Sequence, residues 1–136
     1  RIERRVCPGL VEQVERGRLD TPDTLELLRE HLDPLLEAGA DAIVLGCTHY
    51  SFLARSVERL AGPRVTVVDP ARAVALQALR VAAALPPSGA PPEPRSFWST
   101  GDPTALERFL AGLEPPVEAT VSPARWAWGP ARLEAP

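Results

Sequence analysis

Cys47, Thr48 and His49 place a thiol, a hydroxyl and an imidazole on three consecutive residues. The thiolate is the reactive form of cysteine, and a neighbouring His or the free N–H groups at a helix start lower the thiol pKa. A thiol poised near neutral pH can accept a proton or attack a carbon. The Thr48 hydroxyl adds a donor suited to a carboxylate or phosphate. Free cysteine is also a small hydrophobe that packs in cores, and at this point both readings of Cys47 stand.

The elements around these residues decide whether they converge. Asp41 to Gly46 holds a short apolar run without alternation, which predicts a buried parallel strand. A helix is expected from Ser51 to Ala61, stopped by Gly62-Pro63, and a second strand over Arg64–Val68. Asp69-Pro70 should open a helix running to about Leu85. Upstream, Gly9–Arg16 reads as a short helix. Thr21 is a candidate N-cap with Pro22 at the first helical position. Leu25, Leu28, Leu32, Leu35 and Leu36 follow at helical spacing, with Pro34 expected to bend that helix or cost one hydrogen bond, and Gly39 to stop it. Arg95–Ser99 is a candidate strand. Thr100-Gly101-Asp102-Pro103 is a turn into a helix with Leu106, Phe109, Leu110 and Leu113 on one face. Alternating strands and helices predict an α/β fold, a parallel sheet with flanking helices. Ligands in such sheets bind beyond the carboxyl ends of the strands. The turns at 46–50 and 69–70 both belong to that edge.

Composition sets the outer bounds. The chain has 136 residues, 15 basic and 18 acidic groups, a net charge of −3, two cysteines and 16 prolines. This is enough for a core without disulfide staples, and two cysteines make no disulfide framework. The charge argues against a nucleic-acid partner. No apolar run reaches the ~18–20 residues that would span a bilayer, so no membrane association is expected, and a reducing, cytoplasmic setting is the default. Every basic residue is Arg, and Lys, Asn and Met are absent, the mark of a G- and C-rich gene. The missing methionine suggests a piece of a longer protein. Pro86–Pro94 carries five prolines and reads as a stiff linker.

Other residues favour structural roles. His31 sits among leucines and reads as a packed or surface histidine. Cys7, Cys47, His31 and His49 lack paired ligand spacing, so no metal site is expected. Asp69 reads as a helix cap that could also touch the site. Tyr50 and Trp98 read as packing residues. The arginines at 4, 5, 16 and 18 read as a solvated face.

The stretch Ile43-Val44-Leu45-Gly46-Cys47-Thr48-His49-Tyr50-Ser51-Phe52-Leu53 resembles the second catalytic-cysteine motif of glutamate racemases, members of the aspartate/glutamate racemase superfamily. That motif usually carries Pro where Ser51 stands. Cys7-Pro8 through Val14-Glu15, Val68–Ala75 and Phe97–Pro103 resemble further segments in the same order. The resemblance implies half of a two-domain racemase-like fold. Residues 1–69 would be part of the second α/β domain, bearing the Cys-Thr-His motif. Residues 70–136, a helix, the Pro-rich linker and a tail, would return to a first domain. That first domain, with its own Ala-Cys-Asn-Thr cysteine and an Asp-Ser pair, has no counterpart here, and Cys7 matches a non-catalytic position.

The implied activity is cofactor-independent interconversion of L- and D-glutamate by two cysteines on opposite faces of the α-carbon, supplying D-glutamate for peptidoglycan and cell shape in a bacterium. Carried over by position, Cys47 would be one acid/base, His49 would assist it, Thr48 would hold a substrate carboxylate and Glu15 would be an acidic active-site group. Cys47, Thr48 and His49 would contact substrate. The implied partners are glutamate, the missing N-terminal half and, at full length, a second copy in a homodimer. The chain alone would be inactive, and residues 70 onward would expose apolar surface. The alternatives are a relative acting on aspartate or a hydantoin, or a degenerate subunit that binds a partner without catalysis. Aspartate racemases usually carry Glu after Cys-Thr, so His49 favours glutamate.

Overall fold

The computed structural model describes residues 1–86, 95–113, 115–127 and 132–134. The chain forms two compact units, Arg1–Pro87 and Ser88–Pro136.

In the first unit α1 (Leu10–Glu15) follows Gly9, which takes φ +87°. The positive φ calls for glycine; a Cβ there would lie 2.9 Å from Leu27 Cδ2, so the end of that side chain would also have to shift. Helix α2 (Pro22–Glu37) starts as predicted: the Thr21 hydroxyl accepts from the Thr24 N–H at 3.3 Å, and Pro22 takes the first helical position. Thr24 is fully buried and its hydroxyl donates to the Arg18 carbonyl at 2.8 Å. Pro34 lies inside α2 and removes the N–H that would bond the Glu30 carbonyl. Arg5 fills the gap, its Nη2 donating to that carbonyl at 3.3 Å. Arg5 is therefore more than part of a solvated face.

Strand β1 (Ala42–Val44) pairs in parallel with β2 (Thr66–Val68), Ala42 opposite Thr66 and Val44 opposite Val68. The connection departs from expectation. Instead of one α-helix over 51–61, a 3-10 helix spans Thr48–Leu53, followed by α3 (Ala54–Ala61). The core of this unit joins Leu10 and Val14 of α1, Leu28 and Leu32 of α2, Ile43 and Leu45 around β1, and Leu53 and Val57. His31 is buried too, its Nε2 3.2 Å from the Pro8 carbonyl oxygen. Ser56 donates to Asp20, which also pairs with Arg59.

Helix α4 (Ala71–Ala83) has every residue exposed. Val74 and Leu79 are each 66% accessible and Leu85, just beyond, 64%. Ala73, Val74, Gln77, Ala78, Val81 and Ala82 line a shallow apolar groove along it. Val44 and Val68, opposite each other on one sheet face, are exposed as well. The apolar surface expected after residue 70 is present on this helix.

The second unit repeats the strand–helix–strand plan. Strand β3 (Ser96–Ser99) pairs in parallel with β4 (Thr120–Pro123), and α5 (Pro103–Ala111) connects them. Asp102 caps α5 by accepting from Thr104 N–H at 2.9 Å, with Pro103 in the first turn. Among the described residues of this unit, Leu110, Val121 and Ala124 are buried and apolar. Strands β5 (Arg125–Ala127) and β6 (Arg132–Glu134) pair antiparallel. Apart from Pro86, the Pro-rich stretch to Pro94 lies outside the described residues, as does Trp128.

Candidate functional site

Cys47 leaves β1 in extended conformation (φ −133°, ψ 137°) and precedes the first residue of the 3-10 helix. Two residues on, His49 returns its ring toward the thiol, with Sγ 3.9 Å from Nδ1. The other ring nitrogen, Nε2, lies 2.5 Å from Glu15 Oε1 at the end of α1. A carboxylate, an imidazole and a thiol thus stand in a row, although 34 positions separate Glu15 from His49. Buried Leu10 and Val14 hold α1 while buried Ile43, Leu45 and Leu53 hold the thiol turn, so the core sets the distance between the two ends of the row.

The proton inventory follows from this geometry. A carboxylate only accepts, so Nε2 carries the hydrogen shared with Glu15. Nδ1 is left facing sulfur. In neutral His49 it can accept the thiol proton; in the imidazolium it donates to the thiolate. Electrostatics agree. The Cys47 thiol is held below its ordinary value chiefly by the backbone N–H of His49, then by the His49 ring and the Tyr50 N–H, with burial opposing. Glu15 chiefly raises the His49 pKa; burial opposes, and Cys47 adds to the rise. Both shifts favour the thiolate–imidazolium form of the pair.

Cys7 behaves in the opposite way. Its thiol is raised, mainly by burial, and donates to the Arg5 carbonyl at 3.7 Å. Both cysteines are free. Among the described residues no cluster of three or more His, Cys, Asp or Glu could hold a metal ion, and no helix is long and apolar enough to cross a membrane.

The structure brings together Cys47, His49 and Glu15. Thr48, exposed, opens the 3-10 helix beside them. The expected helix N-terminus is a short 3-10 turn, because the α-helix begins only at Ala54. Its free N–H groups act on the thiol itself. Asp69 accepts from Ala71 N–H at 3.0 Å, as a capping residue does, but the same Oδ1 also takes the Ser51 hydroxyl at 2.8 Å. Ser51 does not cap α3. This bond joins residues 18 apart, and nothing in the local pattern announces it. Tyr50 reaches the Cys7 carbonyl at 3.4 Å.

A parallel α/β unit whose strand-edge turn carries a thiol supported by an imidazole and a carboxylate has the makings of a thiol acid/base site. The profile of the Asp/Glu/Hydantoin racemase family matches residues 2–78, more than half the chain, and the chain belongs to that family. It is 46% identical over 115 residues to a glutamate racemase of Methylococcus capsulatus, an overlap covering 83% of this chain and 42% of that protein. With a glutamate racemase of Ralstonia nicotianae it shares 49% identity over 107 residues, 77% of this chain and 38% of the relative. The chain therefore spans about two fifths of these relatives. Among solved structures it resembles glutamate racemase isoform RacE1 from Bacillus anthracis, with TM-score 0.68 and 26% identity, covering 88% of this chain and 45% of that one. It also resembles glutamate racemase from Thermus thermophilus in complex with β-chloro-D-alanine, with TM-score 0.62 and 33% identity, covering 86% and 45%.

Proposed function

We infer that this chain is the C-terminal part of a cofactor-independent glutamate racemase, with Cys47 as one of its two acid/base thiols. The observation that carries this reading is the Glu15–His49–Cys47 row, with its lowered thiol, in a chain of the racemase family that spans about two fifths of glutamate racemases. In one direction the Cys47 thiolate takes the α-proton of glutamate, while a thiol on the opposite face delivers a proton to the α-carbon. In the other direction Cys47 is the donor. Imidazolium at His49 stabilises the thiolate before abstraction, and Glu15 holds the ring in the orientation that presents Nδ1 to sulfur. Thr48 donates to a substrate carboxylate. The opposite thiol belongs to the N-terminal half, since the Cys7 thiol is raised by burial and matches no catalytic position. Residues 1–69 belong to the second racemase domain and residues 70–136 return to the first, where the apolar face of α4 finds its cover. The whole protein works as a cytoplasmic homodimer and supplies D-glutamate for peptidoglycan. His49, where aspartate racemases usually have Glu, favours glutamate over aspartate.

Complementation tests this. The 136-residue chain is co-expressed with the N-terminal part of the Methylococcus capsulatus racemase, and chiral chromatography follows D-glutamate formed from L-glutamate. Racemisation by the pair, lost with Cys47→Ser and absent from the chain alone, is expected. Equal activity of Cys47→Ser, or faster turnover of aspartate, would overturn the assignment. A stable inactive complex would favour a partner-binding subunit.

A further inference from the structure

The segment bearing Cys47, Thr48 and His49 is closed at both ends. At its base the Leu45 N–H donates to the Val68 carbonyl at 3.0 Å, extending the pairing of β1 and β2 to the point where the strands part. At its far end the Ser51 hydroxyl donates to Asp69 Oδ1 at 2.8 Å, one residue beyond Val68. Residues 46–50 form an arc between these two bonds, braced across by the Tyr50 N–H on the Cys47 carbonyl at 3.0 Å and by the Cys47–His49 contact itself. Asp69 is fixed in turn, because the same oxygen accepts from the Ala71 N–H at the start of α4. Ser51 and Asp69 are both half-buried, so water competes with this bond less than it would on an open surface.

The geometry points to Ser51 as a positioning residue: by clasping Asp69 it closes the arc and holds the Cys47 thiol in register with the His49 ring. Ser51 touches neither sulfur nor imidazole in this role. Without the clasp the arc keeps its strand end, the buried Leu53, the Tyr50–Cys7 bond and the His49–Glu15 contact, but it loses the tie that holds its far limb to the end of β2, and the ring gains room to turn away from sulfur. The Sγ–Nδ1 separation of 3.9 Å already stands near the limit for a contact through sulfur, so a small rotation suffices to part them. The same oxygen links the thiol arc to α4, so a movement at the start of that helix reaches the arc through one side chain.

This inference rests on Cys47 being an activated thiol, but its test needs no turnover and can fail independently of complementation. The 136-residue chain carrying Cys7→Ser is alkylated with iodoacetamide from pH 5 to 10, and modification of Cys47 is timed by intact mass. Ser51→Ala should slow alkylation at pH 7 by about two- to fivefold, the scale of one modest hydrogen bond transmitted in part, and move the profile to higher pH. Ser51→Thr, which keeps the hydroxyl, should restore both. Ser56→Ala removes a comparable serine bond, to Asp20, and serves as a control that lowers melting temperature without moving the profile. An unchanged profile in Ser51→Ala overturns the proposal, as does an equal shift in Ser56→Ala. If Ser51→Ala does not fold, Asp69→Asn replaces it. Its amide oxygen still accepts but without charge, so the profile should shift in the same direction by less, and no shift overturns the proposal.

Discussion

Replacing Glu15 by Gln keeps the shape of the row and removes its charge. The carboxylate is 65% exposed and the His49 side chain 32%, so the short Nε2–Oε1 contact must be discounted heavily for solvent. Exposed ion pairs are worth roughly 0.2–1 kcal/mol, which corresponds to about 1.4- to fivefold in an equilibrium. Glu15 is the chief cause of the raised His49 pKa, so its loss lowers the population of imidazolium, and with it the support for the thiolate. In a Cys7→Ser background, iodoacetamide should therefore modify Cys47 of Glu15→Gln about 1.4- to fivefold more slowly near neutral pH, while His49→Asn should be slower still because the imidazole itself is gone and only the backbone N–H groups still support the thiolate. Above the ordinary thiol value the variants should converge, since the thiolate then forms unaided. Faster alkylation of Glu15→Gln at pH 7 would refute the reasoning. So would a difference between the variants that persists undiminished at pH 10, because it would reflect altered access to sulfur.

Leu53→Ala truncates a side chain that is 1% exposed, and should cost about 2–5 kcal/mol, read by urea titration. Gly9→Ala forces an unfavourable φ and makes the end of Leu27 shift; a loss of about 1–3 kcal/mol, mostly from the backbone, is expected, again by urea titration. Melting temperature should respond to pH with two signs. His49, raised above 6.5, contributes stability that is full below that value and fades as pH rises through its folded pKa. Asp20, lowered below 3.8 by its bonds to Arg59 and Ser56, contributes above 3.8 and loses its contribution as pH falls through its folded pKa. Melts of Cys47→Ser, with and without His49→Asn or Asp20→Asn, separate the two; coincident curves would deny them. Helix α4 is about the length at which isolated helices are marginal, so in the chain alone its amides should exchange faster than those of α2, and a hydrophobic dye should bind. Complementation should slow that exchange and displace the dye.

Local chemistry was legible where the cause is local. Thr21-Pro22 and Asp102-Pro103 place a side-chain acceptor and a fixed φ at a helix start, and α2 and α5 begin there. The apolar runs before Gly46 and Asp69 became β1 and β2, whose central residues Ile43 and Val67 are buried and half-buried. The 3-10 helix was not legible, since Thr48–Leu53 carries no signal that separates it from the first turns of α3. Nor were the bonds that join distant residues. Ser51 with Asp69 and Arg5 with Glu30 depend on how folded segments meet, and no spacing rule contains them. The site was legible in part. Cys47 and His49 are neighbours and could be paired from their types alone, whereas Glu15 came only through the family resemblance. Its contact with His49 exists because α1 packs beside the thiol turn.

The substitution of an Arg5 donor for the amide that Pro34 lacks has an evolutionary consequence. Each residue sets how tolerable a change at the other will be. In a background with Pro34, loss of Arg5 strips the Glu30 carbonyl of its protein donor. After Pro34→Ala the helix supplies that donor itself, and position 5 is released. Loss of Arg5 should therefore cost more with Pro34 in place than after Pro34→Ala, a coupling between a surface arginine near residue 1 and the middle of a helix, kept small because water also reaches the exposed Glu30 carbonyl.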